Sequence, residues 1–190
     1  MPDIPEPESY GGGYIVIRSY DPEWPSMFER ERAAIELILS GYAVGIEHIG
    51  STAVPGLSAK PIIDLLVGVH DLTEARAICL AGLEAHGYTY MAEYEAWLPG
   101  EMLFRKGAGG SWTHHVHVTE PTALSWRDYL LVRDYLRGHE EIARAYANLK
   151  TALALVFEDD IAGYRVAKRP FVERLLANAL TEKGLSSSLE

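Results

Sequence analysis

Cys79 is the single cysteine in a chain of 190 residues. One thiol excludes an intrachain disulfide and any zinc site built from several cysteines, and it fits a reducing compartment. Basic residues are also scarce: 17 Lys+Arg face 27 Asp+Glu, a formal net charge of −10. An acidic surface repels phosphate backbones and anionic lipid, so neither a nucleic-acid polymer nor a membrane is an expected partner. No window approaches the roughly 18 consecutive apolar residues that cross a bilayer. The first residues, Met1 to Ser9, lack the basic and apolar regions of a secretory signal. There is no internal repeat, P-loop, Rossmann fingerprint or G-x-S-x-G elbow. With 48% hydrophobic residues to build a core, the chain reads as a soluble, cytoplasmic globular protein.

Residues 1–13 combine prolines, acids and Gly11-Gly12-Gly13, the composition of a flexible tail, and residues 183–190 read as a frayed end. Residues 14–182 are expected to form one domain. Tyr14–Arg18 suits a short strand or an extended arm. Asp21 and Pro22 suit the N-cap and first position of a helix carrying Trp24, Met27, Phe28, Ile35, Ile38 and Leu39. A strand over residues 44–49 runs into Gly50-Ser51. The near-continuous apolar run from Pro61 to Val69 predicts a central strand buried on both faces. A helix opens at Asp71, carries Ala75, Ile78, Cys79 and Leu83, and ends at Gly87. Strands near residues 88–91, 102–106 and 113–119 suggest a β-meander. Three helices follow, the first over about 121–137, the second carrying Tyr146 and Phe157, the third Tyr164 and Phe171. This order predicts an α+β fold, a mixed sheet covered on one side by helices.

Asp64 is the one carboxylate in its apolar strand. An ionised Asp there costs several kcal/mol unless it is paired, hydrogen-bonded or metal-bound. Gly50-Ser51 is either an ordinary turn or a place where backbone N–H groups and a hydroxyl approach a phosphate. His114-His115-Val116-His117 holds three of the seven histidines. On a strand His115 and His117 share one face with Thr119, where they either cap a polar sheet surface or chelate a metal or phosphate. Glu47 and His48 point to opposite faces, so at most one reaches a cleft there. Lys60, Arg133, Lys150 and Lys168 are candidate cations for an anionic ligand, with Arg18 a weaker one. Trp97, Trp112 and Trp126 either stack on a base or roof the core, and Cys79 sits on an apolar helix stripe.

The string Ile46-Glu-His-Ile-Gly-Ser-Thr-Ala-Val-Pro-Gly-Leu-Ser-Ala-Lys-Pro-Ile-Ile-Asp64 resembles the signature of the GrpB family. Further matches are Tyr20-Asp-Pro-Glu-Trp24, His114-His-Val-His-Val118, Arg133-Asp-Tyr-Leu136 and Tyr164…Lys168…Phe171. The resemblance implies a nucleotidyltransferase superfold, in some bacteria fused to dephospho-CoA kinase. It implies that Gly50 and Ser51 contact nucleotide phosphates and that Asp64 fills the first of two carboxylate positions on the metal-binding strand. Leu66 occupies the second position, and His115 and His117 stand where a third carboxylate is usual. Two Mg²⁺ ions about 4 Å apart need bridging oxygen ligands, whereas one Asp with imidazoles favours one ion.

The expected site therefore comprises Asp64, Ser51, His115 and His117. Gly50, Ser51, Lys60, Arg133 and Lys168 bind phosphate, and Asp64, His115 and His117 hold a divalent metal. That metal is expected to be Mg²⁺ or Mn²⁺, with a softer transition metal as the alternative, and a nucleoside triphosphate is the expected co-substrate. The implied activity is metal- and nucleotide-dependent transfer to a small phosphorylated molecule. A catalytically inactive module that binds a nucleotide or small anion, and a single-metal hydrolase or cyclase using Asp64 with His115 and His117, are the alternatives.

Overall fold

The computed structural model describes residues 14–108 and 111–186. The expected tail, residues 1–13, and residues 187–190 lie outside the described residues. Ile15 N–H bonds to Glu158 O at 2.7 Å and only Arg18 bridges to Ala59, so this segment is an arm and not a strand. Helix α1 spans Trp24–Ile38. It starts later than the sequence suggests because Asp21 Oδ1 accepts from Glu23 N–H at 2.9 Å in a turn ahead of the helix. Pro25, not Pro22, occupies its first turn, where a missing N–H costs nothing.

Strand β1 (Ala43–Ile49) leads through a 3₁₀ turn (Ser51–Ala53) to β2 (Ile63–Val69), and α2 covers Leu72–Ala85. Asp71 caps α2 by accepting from Glu74 N–H at 2.9 Å. Strands β3 (Tyr88–Tyr90), β4 (Glu101–Ala108) and β5 (Ser111–Thr119) form the expected meander. Helices α3 (Leu124–Gly138), α4 (Glu140–Phe157) and α5 (Ile161–Glu182) complete the chain. The five-stranded sheet has the order β1-β2-β5-β4-β3, with β2 and β5 parallel and the other neighbours antiparallel. The α+β class is thus the observed one.

Strand alternation divides this sheet chemically. Ile63, Leu65, Val67, Val69, Met102, Phe104, Val116 and Val118 are buried with Trp24, Phe28, Ile35 and Leu39 of α1 and Ala75, Cys79 and Leu83 of α2. The opposite face carries Asp64, Glu101, Arg105, His115 and His117. It is not left open, as helices on one side only would require. Helix α3 docks there through Trp126, which lies over Gly45 and Gly68. A Cβ on Gly68 would fall 2.9 Å from that indole, so the strand must be bare at this point. Helices α3 to α5 then bury Leu136, Ala143, Tyr146 and Leu175 against Val54 and Leu57 in a second cluster. Between this bundle and the polar sheet face a cavity remains.

Candidate functional site

The cavity encloses about 330 Å³. Its floor is built by register: Asp64 of β2 lies beside His115 of β5, and Leu66 lies beside His117. One ligand atom from each of Asp64, His115 and His117 falls within 4.8 Å of the other two, a spacing at which a single ion can bridge all three. His115 Nδ1 lies 3.0 Å from Asp64 Oδ1, and the other ring nitrogen, Nε2, is buried with no hydrogen-bond partner among the described residues. A buried, unsatisfied imidazole nitrogen costs free energy that a bound ion or ligand would recover. The spacing of the three donors fits one divalent ion. Burial raises the Asp64 pKa, but the hydrogen bond from His115 and the neighbouring imidazoles outweigh it and hold the carboxyl below its usual range. Burial lowers the His115 pKa, so this ring is kept neutral and Nδ1–H donates to an ionised Asp64.

Gly50 explains how the carboxylate reaches this place. Its φ is +70°, and a Cβ would lie 2.2 Å from Asp64 Oδ2. Only glycine permits both the conformation and the contact. The turn after it is fixed from below: Thr52 Oγ1–H donates to Ile62 O at 3.0 Å, so His48 Nε2, 3.1 Å away, must donate to Thr52 Oγ1. His48 stacks on Phe28 on the α1 side, and burial drops its pKa to about 4, so it is a neutral core histidine. Ser51 faces the cavity and accepts from Lys150 Nζ at 2.9 Å.

Cations surround this floor. Lys60, Lys150, Lys168, Arg105 and Arg165 all line the cavity, against Asp64 alone among the lining carboxylates. Lys150 is 3% exposed and also donates to Ser58 O at 2.6 Å. Burial, then the nearby Lys168, lowers its pKa to about 7. Burial, then Lys168 and two arginines, lowers that of Lys60 to about 8. Burial lowers Lys168 in the same direction. Both Lys60 and Lys168 sit over the Tyr164 ring, at 4.8 and 5.7 Å. Like charges gathered in a partly enclosed space repel, and a polyanion there would relieve them. Tyr94, Trp112, Tyr129 and Tyr164 add aromatic surface.

The structure brings together Gly50, Ser51, Lys60, Asp64, His115, His117, Lys150 and Lys168 from the sequence-based set. It does not bring Arg133. That guanidinium donates to Glu47 Oε2 at 2.7 Å, Asp134 Oδ1 at 2.7 Å and His48 O at 3.1 Å, so the expectation of a phosphate contact is corrected. Glu47 is the member of the Glu47/His48 pair that points to the α3 side, and its role there is to hold Arg133. Arg18 engages Ala59 through its backbone. Trp126 packs on the sheet, and of the three tryptophans only Trp112 lines the cavity. The sequence reading missed Glu101, Arg105 and Tyr129, as well as Tyr94 and Arg165, whose hydroxyl and guanidinium bond at 2.6 Å. Glu101 and Arg105 were within reach, since alternation along β4 puts them on the His117 face. Helical spacing also puts Arg165 beside Ile161 and Lys168. Tyr94 gave no signal, because it stands on the 3₁₀ turn Ala92–Ala96 between strands.

The GrpB protein family model matches residues 14–178. A UPF0157 protein of Pseudomonas aeruginosa is 44% identical over 169 residues, covering 87% of this chain and 68% of that protein. The crystal structure of conserved protein GrpB from Enterococcus faecalis superposes with a TM-score of 0.82 at 36% identity, covering 89% of this chain and 99% of that one. Some relatives are much longer: this chain spans 47% of a Bacillus subtilis UPF0157 protein and 42% of a Mycolicibacterium paratuberculosis dephospho-CoA kinase, 26% identical over 173 residues.

Proposed function

Because this chain belongs to the GrpB family, we propose that its cavity binds a nucleoside triphosphate with one divalent ion and transfers the nucleotidyl group to a small acceptor. The observation that carries this reading is the placing of Asp64, His115 and His117 on the floor of one cavity walled by Lys60, Lys150 and Lys168. Asp64, His115 and His117 would hold the ion, which would supply Lewis-acid neutralisation of the α-phosphate. Ser51 and the Gly50 turn meet phosphate oxygens. An ionised phosphate oxygen of the acceptor, which carries no proton to be removed, bonds to the α-phosphorus as the bond to the bridging oxygen breaks, and the leaving pyrophosphate takes its electron pair. Lys60, Lys150 and Lys168 stabilise the charge that develops on that leaving group. Tyr164, Tyr94 and Trp112 offer faces for a base. With Leu66 buried in the second carboxylate position, the chemistry is assigned to one ion.

The test is thermal unfolding of the full chain with each nucleoside triphosphate and Mn²⁺, Mg²⁺ or Zn²⁺, coupled to a pyrophosphate-release assay. Binding should raise Tm by several degrees through linkage, and Asp64→Ala should abolish release. The absence of a shift for every pair overturns the reading. A shift that survives EDTA and Asp64→Ala without turnover supports instead an anion-binding module.

A further inference from the structure

Glu101 begins β4 on the cavity face of the sheet yet is 1% exposed, fully inside the protein. Its Oε1 lies 2.7 Å from His117 Nδ1 and accepts from Tyr129 O–H at 3.1 Å. Its Oε2 is buried with no hydrogen-bond partner among the described residues. A buried carboxylate that uses one oxygen fully and leaves the other bare is costly, and an apolar residue of the same size would avoid that cost. The arrangement repeats that of the neighbouring pair, where Asp64 Oδ1 engages His115 through the same ring atom, Nδ1. In both pairs the carboxylate engages Nδ1 and leaves Nε2 as the ring's other nitrogen.

We propose that Glu101 is a positioning residue for His117: it holds the imidazole proton on Nδ1 and so presents an unprotonated Nε2 to the cavity. Tyr129 contributes a second donor to the same oxygen and keeps the carboxylate in place, with its own ring 5.2 Å from that of His117. An acceptor-only carboxylate selects this tautomer because it requires a donor opposite. The role for a metal rests on the reading of the site given above; the tautomer does not. Carboxylates behind ligating imidazoles orient them and raise their basicity, and losing one typically weakens metal binding 10- to 100-fold.

Long-range ¹H–¹⁵N correlation spectra of metal-free, ¹⁵N-histidine-labelled protein at alkaline pH read the tautomer directly. Wild type is expected to show His117 protonated at Nδ1 only. Glu101→Leu is expected to move the proton largely to Nε2, and Glu101→Gln, which keeps an acceptor oxygen, to retain the wild-type pattern. Cobalt(II) titration followed by its visible absorption should show affinity falling 10- to 100-fold in Glu101→Leu and much less in Glu101→Gln. A wild-type His117 carrying its proton on Nε2, alone or together with Nδ1, overturns the proposal whether or not the variants fold. So does a Glu101→Leu protein with unchanged tautomer and cobalt affinity. The expected tautomers in a wild-type protein that binds no Co²⁺, Mn²⁺ or Zn²⁺ uphold the positioning role and overturn the metal reading.

Discussion

The Asp64 carboxylate rests against the α-carbon of Gly50. Gly50→Ala combines a left-handed φ with a collision against Asp64 Oδ2. It should cost about 1–3 kcal/mol, read by urea unfolding, and abolish Mn²⁺ binding. An unchanged midpoint would show that the carboxylate does not need this approach. The lysines make a second prediction. Lys150 and Lys60, with pKa values lowered to about 7 and about 8, are partly neutral at pH 8, and a bound polyphosphate favours their charged forms. Nucleotide binding at pH 8 should therefore take up protons, so that calorimetric enthalpies differ between HEPES and Tris; equal enthalpies would contradict this. His48 works with the opposite timing. Its native pKa of about 4 lies below the ordinary 6.5, so the unfolded chain binds a proton that the native state refuses. Stability should fall as pH drops from 6.5 toward 4, and His48→Gln should flatten that part of the Tm–pH curve. An unaltered slope would remove His48 as the cause. Gly50, Ser51 and Asp64 were legible in sequence because a lone carboxylate in an apolar strand demands a partner. Arg133 misled because its spacing beside an apolar stripe is the same whether it meets a ligand or, as here, Glu47.

Helix α5 shows what an element adds. The sequence places Tyr164 and Phe171 on one helix, but the helix divides their surroundings. Ile161, Tyr164, Arg165 and Lys168, at i, i+3, i+4 and i+7, line the cavity, whereas Phe171 and Leu175 join the cluster of α3 and α4. Periodicity reports that a face is inward and is silent on whether core or cavity lies there. The paired histidines fared better, because period-2 alternation fixes which side chains share a face once the strand is recognised. That Asp64 lies beside them was not deducible from spacing, since it depends on the parallel pairing of β2 with β5 across 51 positions. The docking of α3 was equally hidden, resting on Trp126 meeting two glycines of adjacent strands. Gly68→Ala drives a methyl to within 2.9 Å of that indole and 3.0 Å of Pro121. It should destabilise by about 1–3 kcal/mol in urea unfolding. A stability equal to wild type would mean that α3 yields without loss.

At the scale of the molecule, a chain of net charge −10 places five basic side chains around one cavity with a single lining carboxylate. Composition foresaw the acidic exterior, but it averages over position and so could not foresee this local inversion. Under the proposed function this inversion would serve a small polyanion and not a polymer, whose phosphates would have to cross the acidic surface. No described helix is long and apolar enough to cross a membrane. On the proposed reading, Asp64, His115 and His117 hold one ion beneath the lysine wall. Anomalous diffraction from crystals soaked with Mn²⁺ and a non-hydrolysable nucleoside triphosphate tests it most directly. One manganese peak is expected within about 2.0–2.3 Å of an Asp64 oxygen, of one His115 ring nitrogen and of His117 Nε2, with phosphate density beside Ser51, Lys60 and Lys150. No peak at those three residues, with the triphosphate bound or absent, would contradict it.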